Sequence, residues 1–190
     1  MKNIYLTGYK NQNLGDDLFF VTVLKRYPNI HFLFEDVPSG YYSKLFYGFD
    51  NIDVIPFIRE SLVRRVLKKI LKTIFKSWPG QYYSEYLRKN NLKVDAYLRI
   101  GGSIFIEPKK NLSDIKYLFE AEKKYFGKIP FFYIGCNFGP FSSNQYLRCA
   151  DYVISGSSSI CFRDSFSYNL FKHHHNVMLA ETLQRLMQMC

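Results

Sequence analysis

Four short segments combine glycines with polar side chains, and each follows an apolar run that is typical of a β-strand. The first segment spans residues 8–17, and its glycine and polar residues of interest are Asn11, Asn13, Gly15, Asp16 and Asp17. Amide and carboxylate groups bind sugar hydroxyls, and a carboxylate can act as a general base on a hydroxyl, which contributes roughly 10²–10⁴ in rate. The simpler interpretation is a turn in which Asp16 caps the following helix. The segment has no GxGxxG nucleotide fingerprint, and two carboxylates would repel a phosphate at this helix start.

The other three segments carry glycine, serine, asparagine or arginine. The second contains Gly101, Gly102 and Ser103, and the third contains Asn137 between two glycines. Glycine lets a ligand approach the backbone closely, and Ser103 can donate a hydrogen bond. In the fourth segment, Arg163 can bind a phosphate or carboxylate through paired hydrogen bonds. Arg163 can also have a structural role, by contact with the adjacent aspartate or the backbone, and the sequence leaves both roles open.

The order of elements along the chain is expected to bring these segments together. Strands are predicted over residues 3–8, 30–35, 52–57, 94–100, 129–135, 151–155 and 176–180. Helices are predicted over residues 16–27, 59–76, 81–91, 113–126, with Ser113 as N-cap, and 165–172. Strands that alternate with helices indicate an α/β protein with a Rossmann-like, doubly wound, mainly parallel sheet. Such sheets bind ligands at the carboxyl ends of their strands, where these segments lie.

Taken in order, the four segments resemble the polysaccharide pyruvyl transferases. The resemblance covers about residues 3–177 and rests on the runs Asn13-x-Gly15-Asp16-Asp17, Ile100-Gly101-Gly102-Ser103, Ile134-Gly135-x-Asn137-x-Gly139-Pro140 and Arg163-Asp164-x-x-Ser167. It implies one half of a GT-B-like two-domain transferase. Such an enzyme moves pyruvate from phosphoenolpyruvate, as a ketal, onto a sugar of a bacterial exopolysaccharide, capsule or lipid-linked precursor. The resemblance also implies phosphoenolpyruvate as donor substrate, no cofactor, Asp16 or Asp17 at the acceptor hydroxyl and Arg163 at an anion.

The last residues depart from the family pattern. Family members continue into a second Rossmann-like half, and residues 178–190 leave no room for one. We therefore expect residues 1–177 to form an N-terminal half, followed by an atypical tail that results from a truncation or frameshift. Catalysis by this chain alone is then expected to be impaired. Glycosyl transfer from a nucleotide sugar and non-catalytic binding at a membrane are the alternatives.

Composition indicates a globular chain with anionic partners. Of 190 residues, 47% are apolar, and 26 Lys and Arg against 16 Asp and Glu give a net charge of +10. Much of this charge lies in residues 59–76, which are amphipathic. This segment is interpreted either as a crossover helix with a solvated basic face or as an in-plane helix on an anionic membrane, where a lipid-linked acceptor would be found. Nucleic acid is not expected as a partner, because no recognition motif accompanies the charge.

The cysteines and histidines bear on the redox compartment of the protein and on metal binding. The four cysteines, at 136, 149, 161 and 190, lack CxxC spacing and indicate free thiols in a reducing compartment. With no signal peptide or spanning segment apparent, we expect a cytoplasmic protein, peripheral on the inner face of the cell membrane if residues 59–76 bind there. His173, His174 and His175 are consecutive, so their side chains should point in different directions. A metal site built from these three alone is not expected.

Overall fold

A computed structural model describes residues 2–57, 92–102, 104–109 and 111–180. The predicted helices over 59–76 and 81–91, together with Ser103 and residues 181–190, lie outside the described residues. In chain order, the described elements are β1 (Asn3–Gly8), α1 (Leu14–Arg26), β2 (His31–Glu35), α2 (Tyr41–Leu45), β3 (Ile52–Ile55), β4 (Ala96–Ile100), α3 (Asp114–Phe126), β5 (Phe131–Cys136), α4 (Asn144–Ser155), β6 (Ser159–Phe162), α5 (Ser165–Phe171) and β7 (Val177–Leu179).

The strands form a single seven-stranded sheet in the order β3-β2-β1-β4-β5-β6-β7, and every pair of neighbours is parallel. The chain first builds outward from β1 to β3, and β4 then pairs with the other side of β1. Strand order therefore reverses between β1 and β4, and ligands of doubly wound sheets bind in the crevice at such a reversal. The predicted parallel α/β sheet is confirmed.

Helices cover both faces of the sheet, and aromatic side chains make up much of each interface. On the α1 and α2 face, Phe20 packs edge-on against Phe34 with ring centroids 4.9 Å apart, within a buried cluster that includes Tyr42. On the α3, α4 and α5 face, Tyr97 stacks on Phe131 at 4.6 Å. Aromatic pairs contribute roughly 0.5–1.5 kcal/mol each beyond the burial of their area. Within the described residues, many of the aromatic side chains are therefore buried in two packed layers.

One predicted strand is wrong, because residues 151–155 form the last turns of α4. The N-cap is Ser143, whose side chain accepts hydrogen bonds from the backbone N–H groups of Gln145 and Tyr146 at 3.1 and 3.4 Å. The buried residues of α4 are Tyr146, Ala150, Val153 and Ile154. Their spacing of four, three and one residues follows the helical period, so the β-branched residues Val153 and Ile154 pack as part of a helix face. The strand at this position is β6, which begins at Ser159.

Two helix starts and one whole helix also differ from expectation. Helix α1 is capped by Asn13 and not by Asp16, and Ser113 stands at the N-cap of α3 without a side-chain capping bond. Helix α2 was not predicted. Its start is stabilised by Asp36, which accepts backbone hydrogen bonds from Tyr42 at 3.0 Å and Ser43 at 3.2 Å. Because this carboxylate comes from upstream of the helix, the sequence around residue 41 carries no ordinary capping signal.

Candidate functional site

The loop after β1 and the loop after β4 meet at the strand-order reversal. Asn13 Oδ1 accepts a hydrogen bond from Gly15 N–H at 3.2 Å, which starts α1 and places Asp16 in its first turn. A Cβ added at Gly101 would lie 3.2 Å from Asp16 Oδ1. Gly101 has φ +126°, a conformation that favours glycine. The glycine after β4 therefore supplies both the backbone turn and the space in which the Asp16 carboxylate lies.

Arg163 brings the next two loops to the same edge of the sheet. It follows β6 directly, and its guanidinium lies so close over Gly102 that a Cβ there would be 2.5–2.7 Å from three guanidinium atoms. Arg163 Nη2 donates a hydrogen bond to Asn137 Oδ1 at 3.3 Å. Asn137 N–H in turn donates to the Gly102 carbonyl at 2.8 Å, and Arg163 N–H donates to the Cys136 carbonyl at 2.9 Å. The loops after β4, β5 and β6 thus form one connected group.

The two charged groups of this site influence each other. Partial burial raises the pKa of the Asp16 carboxyl above its usual range, and the neighbouring negative charge of Asp17 adds to that rise. The positive charge of Arg163 acts in the opposite direction. Asp16 is therefore a more basic carboxylate than a solvated aspartate, and it lies within electrostatic range of an exposed guanidinium. An arrangement of this kind can accept a proton from a hydroxyl and hold an anion nearby.

Asp17 has a different environment from its neighbour. It is 3% exposed, and its Oδ2 accepts a hydrogen bond from the Tyr41 hydroxyl at 2.7 Å. Tyr41 begins α2, so this contact joins α1 to α2. The buried position and the tyrosine partner favour a structural role for Asp17, with an electrostatic effect on Asp16.

The remaining sequence-predicted residues lie around this group or outside the described part of the chain. Asn11 is exposed in the bend that precedes α1. Gly15 is exposed in the first turn, and the side chain of Asn13 is engaged in capping. Ser103 lies outside the described residues. The structure therefore brings together Asp16, Gly101, Gly102, Asn137 and Arg163.

The aspartate that follows Arg163 caps α5. Asp164 Oδ1 accepts a hydrogen bond from Ser167 N–H at 2.8 Å, and Asp164 Oδ2 accepts one from the Ser167 hydroxyl at 2.8 Å. The same hydroxyl oxygen accepts a hydrogen bond from Phe138 N–H at 2.7 Å. Asp164 and Ser167 therefore fix the helix start and the loop after β5, which together hold Arg163 and its partner Asn137 in place.

A cavity of about 380 Å³ beneath the loop after β4 contains charged residues that the sequence analysis did not single out. Arg99 and Glu122 line it, together with Tyr133 and Tyr146. Tyr97 donates a hydrogen bond to Glu122 at 2.8 Å. Burial raises the pKa of the Glu122 carboxyl, and the charge of Arg99 opposes this rise. The signal that could have found the cavity is an arginine inside an otherwise apolar strand, since such a charge needs a partner or a polar cavity.

Comparison with solved structures identifies similar folds. HepE (Alr3699) from Anabaena in complex with UDP matches with a TM-score of 0.52 and 13% identity, over 94% of this chain and 43% of that one. The same protein in complex with UDP and glucose matches with a TM-score of 0.53, again at 13% identity and over 94% and 43% of the two chains. The chain thus spans less than half of the length of these structures. At this identity the likeness concerns the fold alone, and it agrees with the predicted α/β class with a Rossmann-like, mainly parallel sheet.

Two further findings concern the chain as a whole. Within the described residues, every helix is too short or too polar to cross a bilayer. The family model of polysaccharide pyruvyl transferase matches residues 13–180, a range that includes residues 13–17 of the first predicted segment, the other three segments and every strand after β1. The chain therefore belongs to the polysaccharide pyruvyl transferase family.

Proposed function

We propose that this chain takes part in the transfer of pyruvate from phosphoenolpyruvate onto two hydroxyls of a sugar in a bacterial exopolysaccharide, capsule or lipid-linked precursor. Family membership supports the reaction class. The observation that carries the proposal is the position of the Asp16 carboxylate at Gly101 and of the Arg163 guanidinium at Gly102, within electrostatic range of each other at the carboxyl ends of the central strands. The donor is a substrate, and the proposal includes no cofactor.

The chemistry requires one base and at least one cation. The methylene carbon of phosphoenolpyruvate gains a proton, which leaves its central carbon electrophilic. Two sugar hydroxyls add to that carbon, and the bond to the phosphate oxygen breaks. Of the two hydroxyl protons, one balances the proton added to the methylene carbon and the other leaves with inorganic phosphate. The products are the pyruvate ketal and phosphate.

Asp16 is proposed to accept the proton of the attacking hydroxyl. In its ionised form, a carboxyl with a raised pKa is a stronger base than an ordinary aspartate. Gly101 has no side chain and so leaves the space that the Asp16 carboxylate occupies. Asn11, Asn13 and Gly15 are proposed to line the acceptor side, because they lie on the exposed approach to α1. Asp17 is proposed to act through its charge on Asp16.

Arg163 is proposed to bind the carboxylate or phosphate of the donor. Its hydrogen bond to Asn137 is long, at 3.3 Å, and exposed, so an anion can replace or share it. Charge-assisted hydrogen bonds to a guanidinium contribute roughly 1.5–3 kcal/mol. Because the chain spans 43% of the length of similar solved structures, residues 1–177 are proposed to correspond to the N-terminal half of a two-domain enzyme.

The proposal is tested by incubating the purified chain with phosphoenolpyruvate and a bacterial lipid-linked oligosaccharide. Release of inorganic phosphate and the mass of the acceptor are measured. Any acceptor-dependent release that this chain supports should be lost in Asp16→Asn and Arg163→Ala. Asp50→Asn and Arg148→Ala are the matched controls, because both residues are exposed and lie outside the site. Equal losses in the controls would contradict the assigned roles.

Glycosyl transfer is the second candidate, supported by the likeness in fold to structures that hold UDP and glucose. In a parallel assay UDP-glucose replaces phosphoenolpyruvate. Modification of the acceptor with UDP-glucose and not with phosphoenolpyruvate would replace the first proposal. If neither donor reacts, calorimetric titration with phosphoenolpyruvate still tests the proposed role of Arg163 in donor binding.

Association with an anionic membrane surface through residues 59–76 stays a prediction, since these residues lie outside the described part of the chain. Flotation with anionic and with neutral liposomes tests it, and equal recovery with both would contradict an electrostatic attachment.

A further inference from the structure

One carboxylate and two imidazoles meet near the amino ends of the strands, at the end of the sheet opposite the candidate site. Asp151 lies in the second half of α4, and the turn between α5 and β7 carries His173 and His174. His174 Nε2 lies 2.7 Å and His173 Nε2 lies 3.4 Å from Asp151 Oδ1. One ligand atom from each of the three residues can be chosen so that all lie within 4.8 Å of one another. Because the turn precedes β7, the cluster is at the amino ends of the strands, away from Asp16 and Arg163.

The turn that carries the histidines is fixed to the helix that carries the aspartate. Asn176 is 8% exposed, and its side-chain amide donates hydrogen bonds to the carbonyls of Ile154 and Ser157, both at 2.8 Å. Within the turn, His174 N–H donates to the Phe171 carbonyl at 3.0 Å. These bonds hold the α5–β7 turn against the end of α4 whether or not a ligand is present. The backbone that carries the three side chains is therefore held in place, which reduces the ordering cost of binding an ion.

We propose that Asp151, His173 and His174 bind a Zn²⁺ ion, with water as the fourth ligand. Imidazole nitrogens and a carboxylate oxygen are ordinary zinc ligands. In a tetrahedral site with bonds of about 2.0–2.1 Å, neighbouring ligand atoms lie roughly 3.3–3.4 Å apart. His173 Nε2 already lies at this distance from Asp151 Oδ1. His174 Nε2 lies closer to the same oxygen, so zinc binding requires the half-exposed Asp151 carboxylate to rotate until that distance increases.

The consecutive spacing of the histidines does not by itself produce this site. Two of the three rings turn toward one side, with centroids 4.1 Å apart, because α4 places Asp151 beside them. His175 is exposed and lies outside the cluster. The ion would connect α4 to the α5–β7 turn, so its role is to stabilise this edge of the fold and not to act in group transfer.

The experiment titrates Zn²⁺ into the metal-free 190-residue chain in competition with a chromogenic chelator. We expect one ion per chain, with affinity reduced at least tenfold in Asp151→Asn and His174→Ala. His175→Ala is the matched control and should keep the wild-type affinity, because it removes an exposed histidine of the same run. Circular dichroism and urea unfolding check that each variant is folded.

Two measurements separate this site from other zinc ligands. In wild type, Zn²⁺ should raise the midpoint of thermal unfolding, and Asp151→Asn should abolish the rise. The spectrum of the Co²⁺ form should lack the strong charge-transfer band of thiolate ligation. Wild-type affinity in Asp151→Asn, equal losses in His175→Ala and His174→Ala, a thiolate band, or no binding at millimolar Zn²⁺ would each overturn the proposal.

Discussion

Ser167 connects the start of α5 to the loop that carries Asn137, and loss of its hydroxyl should lower the free energy of unfolding. The residue is 0% exposed. Its hydroxyl oxygen accepts a hydrogen bond from Phe138 N–H at 2.7 Å, and its proton is donated to Asp164 Oδ2 at 2.8 Å. The substitution Ser167→Ala removes both bonds. It keeps the backbone bond from residue 167 to Asp164 Oδ1, so α5 retains its cap.

The expected loss in the free energy of unfolding follows from the backbone donor that Ser167→Ala leaves without a partner. Phe138 is 3% exposed, so its N–H would be buried without a partner. An unsatisfied buried donor costs about 1–3 kcal/mol of the free energy of unfolding. For a domain of 150–250 residues, each kcal/mol lowers the unfolding midpoint by roughly 2–4 °C. A decrease of this size in the free energy of unfolding can be measured by comparing the variant with the wild type.

The assay is urea unfolding of the full chain, followed by circular dichroism, with Ser165→Ala as the matched control. Ser165 begins the same helix but is exposed, so its replacement should change the free energy of unfolding by no more than about 0.5 kcal/mol. We expect a lower urea midpoint for Ser167→Ala with an unchanged slope. Equal stabilities of the two variants would refute the argument that this buried hydrogen bond holds the loop after β5.

Three further predictions concern the site. In Gly102→Ala, a methyl group would lie 2.5–2.7 Å from the present position of the Arg163 guanidinium and displace it, so phosphoenolpyruvate binding measured by calorimetry should weaken, by no more than the roughly 10–150-fold expected for Arg163→Ala. The double variant should be no weaker than Arg163→Ala, and additive losses would contradict an effect through Arg163. In Asp17→Asn, loss of the neighbouring negative charge should lower the Asp16 pKa, so the acid limb of acceptor-dependent phosphate release should move to lower pH; an unmoved limb would exclude Asp16 as the base. In Asn13→Ala, loss of the α1 cap should cost about 1 kcal/mol in urea unfolding, and Asn13→Ser, which can still cap, should recover most of it; a serine variant as weak as the alanine one would argue against capping.

Local pattern was sufficient for most of the sheet. Runs such as 3–8 and 30–35 combine β-propensity with flanking turn residues, and they agree with β1 and β2 to within one residue. The pattern failed at 151–155, where a short apolar run has the composition of a strand and the spacing of a helix face. Periodicity cannot separate the two over five residues, and the capping bond of Ser143 decides for the helix.

In the candidate site, too, local sequence predicts some of the residues and misses others. Glycine and polar residues after predicted strands identified Gly101, Gly102 and Asn137 as a group, because parallel strands end at one edge. Arg163 was singled out by its side-chain chemistry, since the strand that precedes it, β6, was not predicted. The buried charges of the neighbouring cavity were not found in this way. The electrostatic interaction between Arg99 and Glu122 depends on a strand and a helix that are separated by a loop, and no local motif predicts it.

Residues close together along the chain were enough to predict most of the strands, the glycine turns and the family to which the chain belongs, but not α2, α4 or β6. The tertiary structure decided what each polar group does. Asp16 and Asp17 are adjacent, yet successive residues of a helix point about 100° apart, so one faces the loop after β4 and the other is buried against α2. Likewise, Asp151 becomes a partner of His173 and His174 only when α4 and α5 pack on the same face of the sheet. Burial and charge neighbours come from distant parts of the chain, and they set the basicity and the partners of each side chain.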